Sequence, residues 1–86
     1  MYQYYTVEIT KTHAGELAHD VKWHWDEDQD KARLKAESKF HEIMSRAAVS
    51  DYAMHSAILF SEEGMLVANG CYTHQEDVAN ESVAVG

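Results

Sequence analysis

Hydrophobic and polar positions alternate at both ends of this chain and follow a helical period in its middle. Between Tyr2 and Thr10 the sequence YQYYTVEIT places Tyr5, Val7 and Ile9 on one face and Tyr4, Thr6 and Glu8 on the other. Its β-branched and aromatic residues suit a pleated surface, which predicts a first strand. Lys11 to Glu16, with Gly15, reads as a turn into a second alternating run, Leu17 to Trp25. There Val21, Trp23 and Trp25 face one way and Asp20, Lys22 and His24 the other, so the two runs form a hairpin.

The next segment, WDEDQDKARLKAESKFHEIMSRAAVS, has no Gly or Pro and is dense in Ala, Lys, Glu and Arg. Ala32, Ala36, Phe40, Ile43, Met44 and Ala47 recur at steps of three and four, the buried stripe of a helix of about six turns. Asp26 or Asp28 supplies the N-cap, and Asp26, Glu27, Asp28 and Asp30 complement the positive end of the helix dipole. On the outer face, Arg33 with Glu37 and Glu42 with Arg46 have the spacing of surface ion pairs. The helix is expected to end between Val49 and Asp51.

Tyr52 to Ser61 reads as a third strand, Ser61-Glu62-Glu63-Gly64 as a turn with Gly in the left-handed position, and Met65 to His74 as a fourth strand. A hairpin turn at Asn69-Gly70 would leave arms of only a few residues, so that pair is read as a bulge or a close backbone approach. Residues 76–86 form a short acidic tail without a strong period, expected to be frayed or loosely docked. The result is one α+β domain over residues 1–75: β-β-α-β-β, a four-stranded antiparallel sheet with one long helix packed on one face.

One helix covers one side of a sheet. Yet the last two strands are apolar on both sides, with Ala53, Ala57 and Leu59 on one and Met54, Ile58 and Phe60 on the other. So apolar a second face predicts a homodimer or higher oligomer, formed through that face or through an edge strand. Trp23-His24-Trp25 bears on the same question. Two indoles on one strand face bury a large area if they face the helix, which is the first expectation; turned outward, they become anchors of a binding surface. Tyr2, Tyr4 and Tyr5 pose the same choice. The candidate interaction surface is therefore Tyr2, Tyr4, Trp23, Trp25, Met54, Ile58 and Phe60.

Composition narrows the class. At 86 residues the chain has room for one core, and at 45% hydrophobic it is too apolar for a disordered tail. No apolar run exceeds that of Ala57 to Phe60, far short of the roughly 20 residues of a membrane span. The single Cys71 forms no intrachain disulfide and no leader-like segment opens the chain, which points to an intracellular, cytoplasmic setting. Seven basic against fifteen acidic residues give a net charge of −8, and all seven bases lie between Lys11 and Arg46, five of them on the helix. Direct nucleic-acid binding needs a net basic surface that displaces counterions, so it is disfavoured. The acidic excess serves solubility or attraction to basic protein surfaces.

Candidate chemistry is thin. Cys71-Tyr72-Thr73-His74 has a C-x-x-H spacing, but no second ligand pair accompanies it, and residues three apart on a regular strand point to opposite faces. His13, His19 and His24 stand near Glu16, Asp20 and Asp26, and His24 shares a side with Asp26 if the strand runs that far. No phosphate loop, dinucleotide fingerprint, H-E-x-x-H or G-x-S-x-G is present. No cofactor, metal or catalytic residue is assigned, and the expectation is a nonenzymatic protein; His24 and His74 are the positions an enzymatic reading would have to test.

The stretch DKARLKAESKFHEIMSRAAVSDYAMHSAILFSEEGMLVANGCYTH, about half of the chain, resembles a family of small phage and prophage proteins of gut Firmicutes. The likeness rests on the Lys-Phe-His helix, the Ala-Ala-Val-Ser exit, the His-Ser-Ala-Ile-Leu-Phe strand, an acidic Gly turn and an aromatic strand. It implies a fold and a phage setting, and brings no activity to transfer residue by residue. In such a setting the leading expectation is an interaction protein that binds a host protein partner, as an acidic inhibitor of a defence or nucleic-acid-binding protein. The alternatives are an oligomer that binds or sequesters a small ligand, and a phage structural or assembly protein.

Overall fold

The computed structural model describes residues 1–75; residues 76–86, where the tail was expected, lie outside the described residues. Five elements follow in order: β1 (Tyr2–Lys11), β2 (Leu17–Asp26), α1 (Gln29–Ala48), β3 (Met54–Ser61) and β4 (Leu66–Thr73). The strands form one antiparallel sheet in the order β2-β1-β3-β4, with α1 packed on it, an α+β fold. The two hairpins thus meet through β1 and β3. The helix carries the chain from edge strand β2 across β1 to β3.

Local chemistry sets the element ends. The turns at Thr12–Gly15 and Ser61–Gly64 each close with the glycine N–H donating to a carbonyl three residues back. Gly15 and Gly64 have φ of 95° and 85°, a region open to glycine without steric cost. Asp28 is the N-cap, its carboxylate accepting the Asp30 N–H at 2.9 Å, an interaction worth about 1 kcal/mol. Asp26 accepts the Asp28 N–H at 3.0 Å and so holds the chain as it enters the helix.

The predicted stripe is the buried one. Ala32, Ala36, Phe40, Ile43 and Ala47 are buried, and Met44 is partly so. They lie on Tyr4, Thr6, Ala57 and Leu59 of the two central strands. Burying a side chain such as Ile43 or Leu59 is worth about 1.5–3 kcal/mol. Three of the helix contacts are alanines, so the helix rides close to the sheet. At Gly70 a Cβ would stand 2.6 Å from Met44 Cε; this is the close approach expected there, made by a side chain rather than by backbone. The bulge lies earlier in β4, where Val67 is the extra residue between Leu66, opposite Phe60, and Ala68, opposite Leu59.

One ion pair differs from expectation. Arg33 meets Glu37 as the spacing predicts, at 3.6 Å, but Arg46 leaves the helix surface and clamps Glu8 of β1, while Glu42 takes Lys39 at 3.3 Å. Among the described residues no helix is long and apolar enough to cross a membrane.

Candidate functional site

Register and pleat together assign every strand residue to a side. Tyr4 of β1 stands opposite His24 of β2 and Ser61 of β3, and Thr6 opposite Lys22 and Leu59. These face the helix. The intervening residues form a second, open face: Tyr5 opposite Trp23 and Phe60, and Val7 opposite Val21 and Ile58. Ser56 of β3 lies between Ile9 and Cys71 on the same side.

The open face is built around an aromatic row. The Tyr5 ring lies 4.8 Å from Trp23 and 5.2 Å from Phe60, distances at which aromatic pairs add to simple burial. Trp23 nevertheless remains 59% exposed, with Val21 exposed beside it and Leu66 exposed at the other end of the row, next to Phe60. Met54, Ile58 and Phe60 are half-buried on this face. Trp25 stands at the corner, also exposed, with Lys35 Nζ of the helix 5.8 Å from its ring centre.

Three expectations are corrected here. Trp23 and Trp25 are not core: the space beneath the helix is set by Ala32 and Ala36, and the residues that fit there are Thr6, Ala57 and Leu59 rather than indoles. Tyr4 is not on a free surface, because it lies under the helix, 7% exposed, with Gln29 Nε2 3.5 Å from its hydroxyl. Tyr2 is exposed but alternates onto the helix side, away from Trp23. The tyrosine that belongs to the open face is Tyr5.

Charge is distributed as unevenly as volume. By register, the strand residues of the open face include Lys11 and His19 and no Asp or Glu. Among the described residues, carboxylates stand at its ends, Glu16 in one turn and Glu62 and Glu63 in the other. The other strand carboxylates, Glu8, Asp20 and Asp26, alternate onto the helix side.

A polar cluster lies on the covered side, at the C-terminal end of α1. Glu8 accepts from Arg46 through both carboxylate oxygens at 3.1 and 3.2 Å, and its Oε2 lies 2.6 Å from His55 Nε2. Burial pulls the Glu8 carboxyl upward, but the hydrogen bonds and charges of Arg46 and His55 outweigh it and hold the group below its ordinary value. With Glu8 ionised, His55 donates to it through Nε2–H, and His55 Nδ1 lies 3.0 Å from Ser50 Oγ. Ser50 Oγ also lies 3.3 Å from the Ala47 carbonyl, to which His74 Nε2–H donates at 2.8 Å. Tyr52 covers the His55 ring edge-on at 5.4 Å.

Ser50, His55 and Glu8 are in hydrogen-bond sequence, the order of a serine relay, but their geometry serves the helix end. The Ser50 N–H is spent on the Ala47 carbonyl, His74 acts on that same carbonyl, which the last turn of α1 leaves open, and His55 joins the group through Ser50 Oγ. Sequence reasoning missed this cluster. The signal was His55 itself, a lone histidine in the row Ala53, Ala57, Leu59, which calls for a buried partner.

The histidines and cysteine singled out from the sequence are not gathered. Cys71 is exposed on the open face, whereas His74 is turned to the helix end. His24 and Asp26 share the helix side but take different partners: His24 Nε2 lies 3.2 Å from Thr6 Oγ1, and Asp26 meets Lys35 at 3.0 Å. Burial, helped by the Lys39 charge, pushes the His24 imidazole below its ordinary value. His19 alternates onto the open face, away from Asp20. Among the described residues no group of three His, Cys, Asp or Glu side chains is placed to hold a metal ion. No protein-family model, curated protein or solved structure matches the chain.

Proposed function

We propose that this protein acts by binding other protein surfaces rather than by catalysis, and that its binding surface is the helix-free face of the sheet. The observation that carries this reading is the row Trp23–Tyr5–Phe60, exposed at its Trp23 end and flanked by Val21, Ile58 and Leu66. Large apolar patches of this kind are rare on monomers without a partner, and Trp and Tyr are the side chains that most often dominate interface energies. A partner fitting this face offers apolar surface and little charge. The resemblance to phage proteins makes a host protein the natural candidate.

The acidic-inhibitor form of this reading draws no support from the open face, whose strand residues include no carboxylate. The two forms separate by salt. Binding through the aromatic row persists in 1 M salt, where the screening length falls to about 3 Å, and is lost in Trp23→Ala and Phe60→Ala but kept in Leu34→Ala on the outer face of the helix. Capture from host lysate that vanishes with salt and ignores Trp23 would contradict it.

A further inference from the structure

We infer that the occupant of the open face is a second copy of this chain, packed sheet to sheet in a two-fold dimer with the helices outermost. This rests on the reading above, that the face is an interaction surface, and names its partner. The first argument is charge. A chain of net charge −8 repels its own copies over most of its surface, but the open face presents only Lys11 and His19 among its strand residues and no Asp or Glu. Two copies therefore meet there without burying like-charged carboxylates against each other.

Area is the second argument. Four strands spaced about 4.8 Å apart and 8 to 10 residues long at about 3.3 Å per residue give a face of roughly 500–600 Å² in plan. Side-chain relief adds to this, so two copies reach the lower end of the standard interface class, about 1,200 Å² in total. That is enough for a specific dimer of modest affinity.

Shape is the third. The face is tall on its β2 side, with Trp23, Val21 and Trp25; along β4 it is tall at Leu66, in the row of Trp23, Tyr5 and Phe60, and low beyond it at Asn69, Cys71 and Thr73. A two-fold axis parallel to the strands lays β2 of one copy over β4 of the other and β1 over β3. Such an axis keeps each row at its own level, so Trp23 of each copy meets Leu66 of its partner, apolar on apolar, while Val21 stands over Asn69 and His19 over Cys71. The same surface serves both copies, as a closed isologous contact requires.

The test uses the whole chain and its own thiol. Sedimentation velocity from about 1 to 200 μM, an interval suited to an interface of this size, should show a shift from one 9.8 kDa mass to twice that. Over the same interval alkylation of Cys71, exposed in the single chain, should slow several-fold. Ser56→Arg puts a charge at the centre of the face and leaves every aromatic in place; it should stay at 9.8 kDa with fast Cys71 alkylation and an unchanged circular dichroism spectrum. A single-chain mass at every concentration overturns the inference, whether Cys71 stays reactive or is covered from within the same chain. A dimer that survives Ser56→Arg with Cys71 still reactive also overturns it, placing the contact on an edge strand. In either case the interaction reading is judged separately, by loss of partner binding in Trp23→Ala.

Discussion

The covered and open faces of this sheet differ in side-chain volume as well as in charge. Under the helix lie Thr6, Ala57, Leu59 and Gly70, matched to Ala32, Ala36 and Met44 above them, with Tyr4 the one large ring, set beside Gln29 at the start of the helix. On the other side lie Tyr5, Trp23, Ile58 and Phe60. A helix bearing an alanine stripe needs a low floor, so it takes the face that offers one. The larger apolar side chains are left on the side that the chain does not cover. A residue's apolar character thus says that it will be buried by something, and its size relative to the helix stripe says by what.

The sharpest way to break this comparison is to cut neighbouring residues on opposite faces. Leu59→Ala should cost about 3 kcal/mol in urea denaturation of the dilute chain, and Phe60→Ala about 1 kcal/mol, because Leu59 is fully buried and Phe60 only half so. Equal costs would mean that both faces belong to one core. Next in size, Glu8→Ala should cost about 2 kcal/mol, since it leaves His55 Nε2 buried without an acceptor. Arg46→Ala, which removes the half-exposed partner, should cost less than about 1 kcal/mol. A larger loss for Arg46 than for Glu8 would move the centre of the cluster to the helix.

A smaller effect tests the low floor directly. Gly70→Ala should destabilise by about 1 kcal/mol, because the new methyl meets Met44. Met44→Ala in the same chain should recover part of that loss, a coupling that a double-mutant cycle reads. Additive losses would show that Met44 does not need the gap. The smallest effect is acid sensitivity. The His24 imidazole is held below its ordinary value in the fold, so its contribution is complete above about pH 6.5 and declines as pH falls through the folded value. The Glu8 carboxyl is lowered as well, so its contribution goes at lower pH, below about pH 4. His24→Gln should flatten the first decline in denaturation midpoint between pH 7 and 5 and leave the second.

The element order, an N-cap at Asp26 or Asp28 and the helix stripe were legible from periodicity and residue type, as was something unusual at Gly70, though not that it is the Met44 side chain. What periodicity leaves open is phase against the third dimension. Alternation separated Tyr4 from Tyr5 and His24 from Trp23, but which set faces the helix depends on volume matching across two layers, a non-local property. Arg46 shows the same limit. Its spacing to Glu42 is local and visible, whereas Glu8, which wins it, is 38 residues away and buried enough to hold it through two hydrogen bonds. His55 was the one non-local feature with a local sign, a polar residue breaking an apolar row.

Tryptophan fluorescence tests the central claim most directly, since both indoles of the chain, Trp23 and Trp25, lie on β2 at or beside the open face. In the dilute chain the emission should be that of exposed indole and readily quenched by acrylamide. As the concentration rises it should shift to the blue and lose quenching, and in Ser56→Arg it should do neither. Emission already blue and protected at the lowest concentration would put the indoles in the core, and emission that stays exposed at every concentration would mean that no second copy covers the face.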